Sequence, residues 1–516
     1  MSQDPPVNSA HEAEEPMSQR QILKALTGVL ASFFAAMVSI TIISIALPRI
    51  MEELGGDQTA FAWMITATLL ANAASTPIWG KLADLFNKKM LLQVSIVIFV
   101  VGSVLAGLAS SIPLLLGARV IQGLGIGGLM ALGMAVIGTM IPPRDRGKYS
   151  GYFGGVMAVS NAGGPLLGGL LVDSPLGWRA SFWAGVPVCL IAMFLIQRTL
   201  HLKHVRRPVT IDWIGASLVT VIVSLLLIWA SYVGKAGYFN WVSVETLWMV
   251  GGSIILIFVL IRVEKRAADP VIPLRIITQR TPALAILASI GIGIGMFGSG
   301  AFLGQYFQVA QQATPTMAGI LTLPMIAGNL LGSVVSGQLI SRYGRWKPYL
   351  VAGSIMNVLA LSLLGTMNAN TPYWILAVGM FVNGIGMGMM LQNLVLAVQN
   401  GVKVTEIGTA SSSVAFFRTV GGAAGVAVLG SALSSQVQTY IYDGLRSAGI
   451  ISPDGGGSPV SGASLDLRGL PEPVKVIVEQ AFGDATSVVF VIAAAAALMA
   501  LICVLAIKEV PLRKHL

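Results

Sequence analysis

Charge is what this chain has least of. Of its 516 residues, only 10% are Asp, Glu, Lys or Arg and 55% are hydrophobic, whereas a soluble globular protein carries about 25% charged residues. The chain is therefore solvated mostly by lipid. Cysteine is almost missing. Cys189 and Cys503 both fall in apolar runs, which excludes a disulfide framework and leaves no zinc-ligand spacing. The four histidines (His11, His201, His204 and His515) lie outside those runs, so neither a histidine metal site nor an intramembrane histidine relay is expected. No G-x-x-x-x-G-K-[ST] segment occurs, so this chain contains no P-loop to power a process with ATP. No metal or organic cofactor is expected.

Long apolar runs, by contrast, are abundant. A helix that crosses a bilayer needs about 20 apolar residues. Fourteen runs qualify, near 24–49, 58–80, 89–109, 112–141, 148–172, 179–198, 211–233, 243–262, 281–309, 315–341, 347–367, 373–400, 406–435 and 483–507. Backbone groups cannot go unsatisfied in lipid, so these runs must be helices. Most of the 32 Lys and Arg fall in alternate loops and at the two ends, which predicts fourteen transmembrane helices with both termini cytoplasmic. The net charge of +10 is thus a topology signal and not a nucleic-acid footprint. The expected order is a polar tail (1–22), a six-helix bundle (23–200), a linker with two inserted helices (201–275), a second six-helix bundle (276–507) and a basic tail (508–516). An external loop, 436–482, is rich in Gly, Ser and Pro. Near its end Val474, Ile477, Val478 and Ala481 predict a short amphipathic helix on the outer surface.

One stretch occurs twice. Gly80-Lys81-Leu82-Ala83-Asp84-Leu85-Phe86-Asn87-Lys88-Lys89 closes one apolar run and opens the next, and Gly337 to Lys347 repeats the setting 257 residues later, with Ser341, Arg342, Gly344 and Arg345. An echoed loop between two spans points to a duplicated transporter half. The first copy resembles the G-x-L-x-D-R-x-G-R-K signature of the major facilitator superfamily. Asn87 stands at its turn glycine, a residue tolerant of left-handed backbone. In the second copy Ser341 replaces the acid. That resemblance implies a gating role for Gly80, Asp84, Lys88, Lys89, Arg342, Gly344 and Arg345.

Helix 4 carries Arg119-Val120-Ile121-Gln122-Gly123. An arginine within a span faces a cavity or a partner. The run resembles the superfamily's R-x-x-Q-G pattern, which implies proton transfer through Arg119 and Gln122; a structural arginine bonded to carbonyls is the other reading. Gly123, Gly125 and Gly128 match G-x-G-x-x-G, but inside an apolar helix such glycines serve close packing rather than a nucleotide. Helix 5 holds Gly164, Pro165, Gly168 and Gly169, similar to the G-P-x-x-G-G motif of the superfamily's antiporters. Trp178-Arg179 and Pro187 resemble the start of its helix 6. Asp212-Trp213-Ile214-Gly215 and Asp269-Pro270 around the inserted pair resemble the 14-helix drug:proton antiporters. The resemblance implies a multidrug exporter that exchanges lipophilic small molecules for protons by rocking two bundles, acts as a monomer and resides in a bacterial inner membrane.

One departure bears on mechanism. Where that branch has an acid in helix 1, this chain has Ser39, and no carboxylate lies near the middle of any span; Arg119 and Arg418 are the charges within spans. A buried carboxylate is the natural proton carrier and cation binder. Without one, Asp173 at the outer edge and Asp84 at the inner edge are the candidate proton sites, with Asp84 docking on the start of helix 13 near Glu406 and Arg418. The candidate substrate lining is polar, aromatic and uncharged: Ser39, Thr41, Trp63, Asn161, Gln305, Tyr306, Asn383, Gln392, Phe416 and Phe417. Such a lining suits uncharged or weakly charged substrates. The alternative on the same fold is an exporter of lipid or envelope precursors, and a remote one is an intramembrane enzyme, for which no span supplies a nucleophile with a base.

Overall fold

Several helices begin or end where the sequence supplies a cap. The structure, a computed structural model, describes residues 19–140, 156, 159–160, 163–200, 212–233, 240, 242–267, 270, 274–402, 407–450 and 471–509. The helices are α1 (Gln19–Leu54), α2 (Gln58–Leu85), α3 (Lys88–Gly107), α4 (Ile112–Met140), α5 (Gly163–Val172), α6 (Arg179–Thr199), α7 (Trp213–Tyr232) and α8 (Val244–Glu264). They continue as α9 (Arg280–Val309), α10 (Pro315–Ile340, its last turn reaching Tyr343), α11 (Lys347–Leu364), α12 (Tyr373–Gly401), α13 (Ile407–Ser447) and α14 (Glu472–Ala506). Asp57 starts α2 by accepting from the Ala60 N–H at 2.7 Å, and Asp212 starts α7 by accepting from the Gly215 N–H at 2.7 Å. A side-chain oxygen in that position satisfies an N–H that the helix itself leaves open. At the other end of α10, Gly344 takes the left-handed conformation (φ 69°) that closes a helix.

No strand occurs among the described residues, and twelve of their helices are long and apolar enough to cross a membrane. The protein is a multi-pass integral membrane protein. The α2 helix is helical over 28 residues, and α5 is an apolar helix described from Gly163. The two halves repeat at the level of packing. In the first, α2 and α3 lie against α4, and α1 and α3 against α6; in the second, α10 and α11 lie against α12, and α9 and α11 against α14. Between the halves, α7 packs on both α2 and α13, and α8 packs on α7.

Three sequence expectations are revised. Asn87 is extended (φ −63°, ψ 116°) and not left-handed. Its carboxamide accepts from the Lys89 N–H at 2.9 Å, so it caps α3 instead of making the turn. The segment 436–482 is largely helix: α13 runs on to Ser447 and α14 begins at Glu472, while 451–470 lies outside the described residues. Finally, 473–482 is not a separate surface helix. It is the first part of α14, and its Val474, Val478 and Ala481 belong to the same apolar core cluster as Val437, Ile441 and Leu445 of α13.

The core is divided unevenly. At the end bearing the α1–α2 and α9–α10 connections, one continuous apolar cluster joins the bundles, running from Ile43 and Phe61 to Phe302, Val426 and Leu429. At the end bearing the basic loops, the apolar residues form two clusters that each stay within one bundle: Leu26, Trp79, Leu92 and Ile196 in the first, and Ile286, Trp346, Leu394 and Val504 in the second.

Candidate functional site

The two bundles meet in a seal at the end where the core is continuous. Gln58 on α2 and Gln305 on α9 exchange two hydrogen bonds, Gln58 Nε2 to Gln305 Oε1 at 3.1 Å and Gln305 Nε2 to Gln58 Oε1 at 2.6 Å. Both side chains are fully buried, at 1% and 0% exposure. Next to them Phe61 stacks on Phe302 with centroids 6.0 Å apart. Gln308 Nε2 donates to the Ile45 carbonyl at 2.9 Å, and Thr66 Oγ1 donates to the Ala423 carbonyl at 3.3 Å.

The glycines of helix 5 belong to this seal. A Cβ on Gly168 would fall 2.9 Å from the Ile42 carbonyl of α1, and one on Gly169 would fall 2.6 Å from the Pro315 carbonyl of α10. In return, a Cβ on Gly319 of α10 would fall 2.5 Å from the Pro165 carbonyl. The backbones of α5 and α10 therefore touch directly, which only small residues permit. Gly164 faces the Thr41 side chain. Asp173, just past α5, accepts from the Thr316 N–H at 3.0 Å and from the Thr316 hydroxyl. One carboxylate thus caps the start of a helix in the opposite bundle.

At the basic end the two repeated loops differ from this pattern. Gly80 and Gly337 have no neighbouring atom within 4 Å of where a Cβ would stand. Lys89, one of the residues expected to gate this side, donates to the Gln197 carbonyl at 2.8 Å in the last turn of α6. Lys347 does the same in the second half, donating to the Leu505 carbonyl of α14 at 3.1 Å. Each ammonium satisfies a carbonyl at the end of the sixth helix of its own half, where a cation is favoured. Glu509 adds a cap on α11, accepting from the Trp346 N–H at 3.1 Å. Lys88 is half-buried, while Arg342, Gly344 and Arg345 are exposed, with Arg342 5.7 Å from the Tyr343 ring centroid. The side chain of Asp84 lies outside the described residues, as do Glu406 and Asn161 and the side chain of Gln392.

Arg119 is enclosed, at 2% exposure. Its Nε donates to the Met64 carbonyl at 3.1 Å and its Nη1 to Gln122 Oε1 at 2.7 Å; Gln122 Nε2 donates to Ser103 Oγ at 2.8 Å. The guanidinium thus ties α4 to α2 and α3. Gly125 brings α4 close to α3, since a Cβ there would fall 2.6 Å from the Phe99 nitrogen. Arg418 is different: it is half-buried on α13 and has no hydrogen-bond or ion-pair partner among the described residues.

Among the described residues, the candidate lining side chains do not converge on one surface. Tyr306 is buried and donates to the Asn368 carbonyl at 2.9 Å. Asn383 is buried within the second bundle, accepting from Asn357 at 2.8 Å and donating to Ser299 at 3.3 Å. Phe416 packs against Val219, Ile222 and Leu260 of the inserted pair, and Phe417 against the core of the second bundle. Gln305 is occupied by Gln58. Thr41 donates to the Val38 carbonyl at 3.0 Å and the Ser160 carbonyl at 3.2 Å. Ser39 Oγ and Trp63 Nε1 are buried without a partner among the described residues. Sequence reasoning missed Gln58 and Thr316, which have no signature of their own. It also missed Glu53, which accepts from Arg179 Nη1 at 2.7 Å and Trp178 Nε1 at 2.9 Å. No group of three or more His, Cys, Asp or Glu that could hold a metal occurs among the described residues.

Comparison with known proteins agrees with this architecture. Residues 29–426 match the model of the Major Facilitator Superfamily. An uncharacterized MFS-type transporter of Mycobacterium tuberculosis is 32% identical over 489 residues, covering 94% of this chain and 69% of that protein. Multidrug transporter protein MdtP of Bacillus subtilis is 32% identical over 432 residues, covering 84% of this chain and 79% of that protein. The efflux pump dotC of Dothistroma septosporum is 30% identical over 501 residues, covering 95% and 84%. Among solved structures, a bacterial homolog of the human lysosomal transporter Spinster, in its inward-facing and occupied conformation, superposes with a TM-score of 0.66 at 15% identity, covering 95% of this chain and 97% of that one. The chain belongs to the Major Facilitator Superfamily and is a membrane transporter, not an enzyme.

Proposed function

We propose that the protein is a fourteen-span exporter of lipophilic small molecules, with both termini in the cytoplasm, that works by alternating access and exchanges its cargo for protons. The observation that carries the alternating-access reading is the divided core: one apolar cluster across both bundles at one end, and one cluster per bundle at the other. With the basic loops cytoplasmic, this is a state closed to the outside and open to the inside, the form in which an exporter loads. The names of the bacterial and fungal relatives support export as the direction. The G-P-x-x-G-G glycines at the α5–α10 contact support antiport, and the bacterial relatives support a bacterial inner membrane as the location. The protein acts as a monomer, each half supplying one wall.

For the proton, Asp173 is favoured. It is a carboxylate at the outer mouth whose hydrogen bonds join the two bundles, so protonation from outside weakens a contact of the closed outer gate. Export of lipid or envelope precursors is the second reading: the missing intramembrane acids suit it, but the amphipathic segment 473–482 that would favour it has Val474, Val478 and Ala481 in the core. The test is efflux of a neutral lipophilic dye from proteoliposomes with an imposed pH gradient. Export is expected to follow the gradient and to lose that dependence in Asp173→Asn, which keeps a capping acceptor but cannot take up the proton. Dye movement indifferent to the gradient in wild type would refute proton exchange.

A further inference from the structure

The interiors of the spans hold two arginines and no carboxylate. Arg119 is accounted for by its carbonyl and amide partners. Arg418 is not. It lies about 16 Å along α13 from Ile407 at 1.5 Å per residue, deep enough that no snorkelling to the helix start is available. Five residues further on, Ala423 accepts the Thr66 hydrogen bond of the seal, so Arg418 sits just below the sealed layer, on the side where the core is split. Its own carbonyl faces Gly293 of α9, which fixes the backbone at a close helix contact. The side chain is half-buried, with none of its nitrogens both enclosed and unsatisfied. The guanidinium is therefore only partly enclosed; a charge within a span faces a cavity or a partner and not hydrocarbon, and the cleft between the bundles is the cavity available at this depth.

We propose that Arg418 is the charged substrate-binding group of this cleft and that the preferred cargo is a lipophilic oxyanion, a carboxylate or sulfonate on an apolar body. The proposal rests on the export reading above and narrows its substrate class. A guanidinium carries five donors in a planar fork that matches an oxyanion with two parallel hydrogen bonds. An uncompensated charge in a span is costly, and an arriving anion offsets that cost. A cation gains nothing here, since no span interior offers it a carboxylate.

The experiment measures binding to the full chain in nanodiscs of zwitterionic lipid, using 1-pyrenebutyric acid, its methyl ester and a trimethylammonium analogue. Wild type should bind the acid about tenfold or more tighter than the ester, the range of hydrogen bonds to a charged group, and the cation weakest. Arg418→Gln should abolish the preference for the acid and leave ester affinity unchanged, while Arg418→Lys should retain part of it; ester binding by each variant shows that it is folded. Equal affinity for acid and ester in wild type, an equal loss of both in Arg418→Gln, or strongest binding of the cation would each overturn the proposal. Including phosphatidylglycerol in the nanodiscs should leave acid binding intact; competition by it would assign the site to a lipid headgroup and overturn it as well. Gradient-driven efflux of a neutral dye, measured separately, keeps failure of this proposal distinct from failure of the export reading.

Discussion

Replacing either Gln58 or Gln305 with leucine leaves the other amide buried in the sealed state with no partner, because each is fully enclosed and bonded to the other. An unsatisfied buried amide costs about 1–3 kcal/mol. When the outer mouth opens, the same amide returns to water and the cost disappears. The whole penalty falls on the sealed state, which shifts the equilibrium about 5- to 150-fold toward the open one. The double variant Gln58→Leu/Gln305→Leu removes both polar groups and extends the apolar contact of Phe61 and Phe302, so it should seal as well as wild type or better. The readout is a cysteine at Ser44, half-buried on α1 with its carbonyl 3.7 Å from where a Cβ on Gly304 would stand. It is placed in a Cys189→Ala/Cys503→Ala background and labelled from outside with a membrane-impermeant maleimide. Labelling should be fast in both single variants and slow in the double. Single variants that label like wild type, or a double as fast as the singles, would refute the clasp.

Other contacts of the seal and of its counterpart give sharper or weaker effects. Gly169→Ala adds a methyl group against the backbone of Pro315 and Thr316, and backbone cannot yield as a side chain can. Export should fall and outer labelling of the Ser44 cysteine should rise. Asp173→Ala removes a helix cap worth about 1 kcal/mol, so outer labelling should rise several-fold, while Asp173→Asn, uncharged like the protonated acid but still an acceptor, should raise it by less. Lys89→Ala and Lys347→Ala each remove a hydrogen bond within one bundle. Thermal melting in detergent should drop by a few degrees for either, with outer labelling unchanged; altered labelling would show that these lysines act between bundles.

Sequence patterns made most of the architecture legible because lipid leaves few choices. Apolar runs of span length must be helices, and the duplicated Gly80 and Gly337 loops located the repeat that reappears as matched packing in α1–α6 and α9–α14. The glycines at 164–169 stood out by their motif, and glycines in a span permit close helix contact. Their partner, the α10 backbone at Pro315–Gly319, could not be read from local pattern. Contacts between bundles escaped for the same reason: Gln58 and Gln305 are 247 residues apart, and a single polar residue near a helix end has no period to mark it. Asn87 shows a different limit, since asparagine suits both a left-handed turn and an N-cap, and the helix that follows decided for the cap. The loop at 436–482 was misread at its edges because polar residues beyond the membrane can continue a helix that apolar counting ends.

The central claim is that the sealed end must part during each transport cycle. Ala62 on α2 and Gly430 on α13 meet across it, a Cβ on Gly430 falling 2.7 Å from the Ala62 Cβ. A disulfide spans Cβ atoms about 3.5–4.5 Å apart, so an Ala62→Cys/Gly430→Cys pair needs only a small shift to close. In the Cys189→Ala/Cys503→Ala background, oxidation should stop gradient-driven export in proteoliposomes and reduction should restore it. Full export by the cross-linked protein would mean that this interface never opens, and would contradict the account.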